Sequence, residues 1–222
     1  MRFSAFLILA VLLAARCASA QPILVELFSS QNCTACPSAH ETLGQVHTQR
    51  DDVLVLTWSV DYWDYLGEPD PMAMDMSTER QAAYADRFGL KGPYTPQSVY
   101  NGAGQCPGNR PSQVARHLAA AQAAAETQRQ EGAAIGRIAF EDTPGGVSIS
   151  VPAGLASDVH LVEFQRDGDN GTALVHPVTG FQTLTQLPFG GAVSATPACA
   201  SGCVVLVQAP GHGAVYAAHR VN

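Results

Sequence analysis

The sequence predicts an α/β domain followed by a β-rich, sandwich-like part, and three observations carry that prediction. Two largely apolar runs, residues 23–28 and 53–60, read as strands covered on both faces. A Cys-x-x-Cys pair, Cys33 and Cys36, stands between the first run and a stretch of helical spacing. Beyond Gly132 helical spacing ends, and short β-like runs alternate with turn clusters.

Residues 1–20 come first. Arg2, an apolar run over 3–15 and Ala18-Ser19-Ala20 have the make-up of a secretory signal peptide, so the mature chain is expected to begin at Gln21. No later segment approaches the roughly 20 apolar residues of a transmembrane helix. The expectation is a secreted, periplasmic protein with no membrane association after signal cleavage, in a compartment where disulfides persist. With 12 basic against 19 acidic residues, a net charge of −7 and Lys91 as the single lysine, nucleic acid is excluded as an expected partner. The mature chain divides into a domain over 21–132 and a β-rich domain over 133–222.

The first strand, 23–28, carries one acid, Glu26. A loop over 29–32 leads to the cysteines, Pro37 suits the first turn of a helix, and Ala39, Leu43 and Val46 continue that helix to about residue 49. After the second strand comes an aromatic and acidic loop, DYWDYLGEPDP, over 61–71. Thr78 with Gln81 resembles a capping box opening a helix that runs to about residue 88. Tyr94-Thr95-Pro96 precedes a short strand, 97–100, and Asn101-Gly102 signals a hairpin turn. A longer helix spans about 111–130 and stops at Gly132. Strands are then expected at 135–140, 147–151, 160–165, 172–175, 203–208 and 215–220, with turns that include residues 167–171.

The chemistry centres on Cys33 and Cys36. A cysteine at the mouth of a helix faces unpaired N–H groups and the positive end of the helix dipole, which favours the thiolate. Cys33 is therefore the expected attacking sulfur and Cys36 the shielded, resolving one. Zinc knuckles and plain disulfides share this spacing, so its surroundings decide. Thr95 and Pro96 stand before a short strand and hairpin, where thioredoxin folds place a cis-proline against the dithiol; cis bonds otherwise occur in only about 5% of X–Pro cases. Glu26, an acid in an apolar strand, suits a buried proton acceptor for the resolving thiol, or else pairs with an arginine or lies at a sheet edge.

The segments VELFSSQNCTACPSA, VDYWDYLGEPDP, YTPQSVYNG and GCVVLVQ, in this order, resemble the secreted family known as domain of unknown function 1223. That resemblance implies a thioredoxin-like first part and a β-rich C-terminal part. It says almost nothing about activity, and nothing about His40 is carried over from it.

The expected activity is thiol–disulfide exchange on a protein or small-molecule thiol or disulfide, without an organic cofactor. Cys33, Cys36 and Glu26 would carry it, and Thr95, Pro96, Asp61 and Trp63 would shape a substrate groove; Trp63 and Tyr65 otherwise plug a core edge. Cys33, Cys36 and His40 form Cys-x2-Cys-x3-His, which admits copper delivery as an alternative, although His40 reads better as a solvent-facing helix residue. A binding module with a permanent disulfide is the third reading. Cys106, Cys199 and Cys203 are structural disulfide candidates whose pairing sequence leaves open. His160, His176, His212 and His219 lack metal-ligand spacing and read as structural.

Overall fold

The computed structural model describes residues 21–135, 137–166 and 173–221. The expected signal peptide and the turn at 167–171 lie outside these residues. Strands β1 (Ile23–Ser29) and β2 (Val53–Ser59) pair in parallel, joined by helix α1 (Cys36–Gln49). Helix α2 (Asp75–Arg87) leads to β3 (Gln97–Tyr100), which runs antiparallel to β1 and turns into β4 (Gly104–Pro107). The sheet order is β2-β1-β3-β4, and helix α3 (Pro111–Ile135) follows. All seven residues of β1 and of β2 are buried, as apolar runs without alternation require.

The predicted hairpin forms with Asn101 at φ 44° and Gly102 at φ 61°, both in the left-handed region. A side chain at Gly102 would also meet the carbonyl of Gly213, so only glycine fits there.

The remaining strands make two further sheets. β7 (Ser157–Phe164), β8 (Val178–Leu187), β10 (Gly202–Gln208) and β11 (Val215–Val221) form an antiparallel sheet in the order β11-β10-β7-β8. β5 (Ala139–Thr143), β6 (Gly146–Val151) and β9 (Gly191–Ala195) form the other, in the order β5-β6-β9. Val147 and Ile149 of β6 pack against Val159, Leu161, Val205 and Val207, the sandwich expected from the β-like runs. The opposite face of the four-stranded sheet, through Val162, Phe164, Val204 and Leu206, packs on Leu24, Phe28, Leu54, Leu56 and Trp58 of the first sheet. β10 is thus covered on both faces, which explains its unbroken apolar run. The first sheet's remaining face, through Val25, Leu27, Val53 and Val55, meets Ala39 and Leu43 of α1 and Val114 and Leu118 of α3.

Several boundaries differ from the sequence expectation. α2 begins at Asp75 rather than at Thr78, because the hydroxyl of Thr78 binds Asp61 at 2.6 Å instead of capping a helix. α3 passes through Gly132 to Ile135, so the expected division at 132 falls inside a helix. Of the strand expected at 172–175, residue 172 lies outside the described residues and 173–175 form no strand; β8 starts at Val178, and β9 was not foreseen. β8 is a largely polar edge strand with two register shifts against β7, so it carries no clean period-two signal.

One polar cluster sits inside the shared core. Arg80 of α2 donates from Nε to Glu26 Oε2 at 2.6 Å and from Nη2 to Glu26 Oε1 at 3.0 Å. The Tyr84 hydroxyl donates to Glu26 Oε1 at 2.6 Å, and Gln208 of β10 donates to that hydroxyl at 3.0 Å and to the Gly213 carbonyl at 2.8 Å. The guanidinium also lies over the rings of Trp58 and Phe181, 5.2 and 5.0 Å from their centroids. Burial alone would lower the guanidinium's proton affinity, but the Glu26 and Tyr84 oxygens override it and keep the charge in place.

Glu26→Gln leaves that charge buried without its counter-ion and is expected to cost about 3–5 kcal/mol in urea unfolding. The double variant Glu26→Leu, Arg80→Met should cost clearly less than the sum of its single changes. A loss below about 1 kcal/mol for Glu26→Gln would show that the pair adds little to the stability of the core.

Candidate functional site

The dithiol is built where β1 runs out. Ser29 ends the strand, the Cys33 N–H donates to the Ser30 carbonyl at 3.1 Å, and the Cys36 N–H donates to the Cys33 carbonyl at 3.0 Å. These two turns bring the cysteine Cα atoms to 5.4 Å, and Cys33 and Cys36 form a disulfide. α1 starts at Cys36 with Ala35 before it, and no side chain caps its first N–H groups. Cys36 is 1% exposed and Cys33 7%, so Cys33 is the more accessible sulfur.

Pairing of β1 with β3 places Phe28 opposite Gln97, which sets Pro96 beside Ser29 at the start of the cysteine loop. The Thr95–Pro96 peptide is cis, as the sequence context suggested. The indole N–H of Trp63 donates to the Thr95 hydroxyl at 2.7 Å, so the 61–71 loop and the Thr95–Pro96 segment meet directly.

That loop is also fastened to the cysteine loop. The Gln31 backbone N–H donates to Asp70 Oδ2 at 2.9 Å, and its side-chain amide donates to the carbonyls of Glu68 and Pro69 at 2.7 and 2.9 Å. Asn32 donates to the Glu68 carbonyl at 3.0 Å. Asp70 is itself fixed, its Oδ1 accepting from Met72 N–H at 2.9 Å and its own N–H donating to Asp64 at 3.0 Å. Between these anchors Tyr65 and Leu66 stand out, 76% and 56% exposed.

A model of the family described as "Protein of unknown function (DUF1223)" matches residues 24–170. The chain belongs to this family. This DUF1223 chain is similar to a protein of Agrobacterium tumefaciens known from an X-ray crystal structure, with 29% identity over 90% of this chain and 93% of that one, and a TM-score of 0.68. HBP35 of Porphyromonas gingivalis shares 10% identity over 90% of this chain and 74% of that one, with a TM-score of 0.50, a likeness of fold alone. No curated protein matches.

Within the DUF1223 chain, the structure places Cys33, Cys36, Thr95, Pro96 and Trp63 at one end of the central strands β1 and β3, with Asp61 tied to Thr78. Glu26 is a correction. Its neighbours Val25 and Leu27 face α1, whereas its carboxylate points to the other face and is taken up by Arg80 and Tyr84. The alternation of a strand puts it on the wrong side of the sheet for the helix that carries Cys36.

His40 is a second correction. It does not face solvent, for Nε2 lies 2.7 Å from the Ser29 hydroxyl and Nδ1 is buried without a hydrogen-bond partner. Nor do Cys33, Cys36 and His40 converge as ligands: among the described residues, no three His, Cys, Asp or Glu side chains are grouped to hold a metal ion.

Of the three cysteines whose pairing the sequence left open, Cys199 pairs with Cys203, and Cys106 is a free, buried thiol on β4, 3.5 Å from the Ser98 hydroxyl and 3.6 Å from that of Tyr100. Reading the sequence missed Gln31, Asn32 and Asp70 as anchors. The first two directly precede Cys33, but their partners lie more than thirty residues away along the chain.

In the oxidised protein from Gln21 onward, alkylation should therefore find no reactive thiol under native conditions and one, Cys106, after unfolding. Peptide mapping by mass spectrometry checks it, and native labelling of Cys106 would contradict its burial.

Proposed function

We propose that this protein is a thioredoxin-like thiol–disulfide oxidoreductase of an extracytoplasmic compartment. The observation that carries the reading is the Cys33–Cys36 disulfide at the uncapped N-terminus of α1, with Pro96 beside the loop that leads to it. Strand, Cys-x-x-Cys and helix, followed by a cis-proline before a hairpin, is the arrangement expected of a thioredoxin-like dithiol. After reduction, the positive end of α1 favours Cys33 as thiolate, which supplies the nucleophile. Cys36, behind it, closes the disulfide again. The secretory leader expected at residues 1–20 supports an oxidising location.

A second reading has one observation in its favour. Both sulfurs are nearly enclosed, which also suits a permanent disulfide in a binding module. The reduction potential separates the two. Equilibrated in thiol buffers and trapped by alkylation, Cys33 and Cys36 should switch as a pair between roughly −120 and −270 mV. A pair still oxidised below about −300 mV would be a structural staple, and the enzyme reading would fall.

The exposed loop gives the substrate side of the same reading. Replacing Tyr65 and Leu66 by serine should raise KM for a protein disulfide about tenfold or more, given that a large buried side chain contributes about 1.5–3 kcal/mol. The rate with a small aryl disulfide should stay the same. Equal loss on both substrates would show a damaged site and no docking surface.

A further inference from the structure

With Glu26 engaged on the far side of the sheet, the dithiol needs another group to accept the proton of Cys36. We propose that His40 is that group, a deepening that rests on the redox reading above. Cys36 and His40 are four residues apart on α1, one turn along the same face. The ring is held by the Ser29 hydroxyl at 2.7 Å, and Ser29 is the strand end from which the cysteine loop departs.

Its other nitrogen, Nδ1, is buried and has no hydrogen-bond partner. An orphaned buried nitrogen costs about 1–3 kcal/mol, so its persistence calls for a use. When Nε2 donates to the Ser29 oxygen, Nδ1 is the bare, basic nitrogen.

Of the charged groups on β1, α1 and the 61–71 loop, Asp70 is the one whose field reaches the ring among the described residues. Burial pulls the imidazole below its ordinary value while Asp70 pulls it up, so the ring is neutral and ready to accept at neutral pH. The field of Asp70, which is anchored by the Gln31 and Met72 N–H groups, then favours the imidazolium that forms.

The step balances without a further reactant. The Cys33 thiolate attacks a substrate disulfide, forming a mixed disulfide and releasing one substrate thiolate. Cys36 gives its S–H proton to His40 Nδ1, and the resulting thiolate attacks the Cys33 sulfur. The bond between Cys33 and the substrate breaks, the Cys33–Cys36 bond forms, and the second substrate thiolate leaves and takes up a proton. Two electrons have passed from the dithiol to the substrate. In the reverse direction His40, protonated, returns the proton to the departing Cys36 sulfur.

The test uses the reduced protein and the aryl disulfide 5,5′-dithiobis(2-nitrobenzoate) in stopped flow, where attack by Cys33 releases one thionitrobenzoate and closure by Cys36 releases a second. His40→Gln, which can still bond Ser29, should leave the first release unchanged and slow the second about 100-fold at neutral pH. The second release should recover towards the wild-type rate as pH rises through about 8.5, where an unassisted thiol ionises. Asp70→Asn should slow the same step about fivefold, through the lost charge. A second release unchanged in rate and pH profile in His40→Gln, or in Asp70→Asn should the first variant not fold, overturns the proposal. If the wild-type protein gives no first release, the redox reading itself fails and takes this assignment with it.

Discussion

Glu26 and Arg80 meet inside a core that neither could enter alone. Desolvating a single carboxylate or guanidinium costs several kcal/mol, so each residue is tolerable only where the other is already present. That mutual requirement ties β1, which brings Glu26, to α2, which brings Arg80, at one distance and one orientation. Gln208 extends the tie to β10, and through β10 to the sandwich behind it. The aromatic rings of Trp58, Tyr84 and Phe181 close around the guanidinium from three elements. The apolar contacts between the first sheet and the four-stranded sheet supply the greater share of the driving force, but they are non-directional. The ion pair sets which residues face each other.

The same constraint shapes the dithiol site. Because Glu26 is held on the face of β1 that looks towards α2, the opposite face is left to Val25 and Leu27 and to α1. α1 can then start directly above the end of β1, where Ser29, His40 and the two cysteines come together. The 61–71 loop is laid over this edge by bonds to Gln31, Asn32 and Thr95, and its two apolar tips are thereby presented outward. The site has a rigid floor made of strand ends and helix start, and a rim made of a loop fixed at several points.

Much of the frame was legible in the residues. Apolar runs at β1 and β2 announced two-sided burial, Asn101-Gly102 announced a hairpin, and Pro37 announced the start of α1. Each of these signals is local, so a short window contains it all. β8 and β9 escaped because an edge strand half open to solvent needs no apolar alternation. Thr78 and Gln81 looked like a capping box, yet their side chains bind Asp61 and the Tyr94 carbonyl. Local chemistry there was overridden by partners brought in by folding.

Short stretches of sequence specify most of the first sheet, the Cys-x-x-Cys between strand and helix, and one acid in an apolar strand. Only the tertiary structure decided what that acid does. Whether a buried carboxylate serves a reaction or a fold depends on which side of the sheet it faces and what stands there, and Arg80 lies fifty-four residues further along the chain. His40 shows the converse. Its spacing from Cys36 was visible at once, but its value rests on Ser29, Asp70 and an orphaned nitrogen, which become neighbours only when strand, helix and loop close on one another.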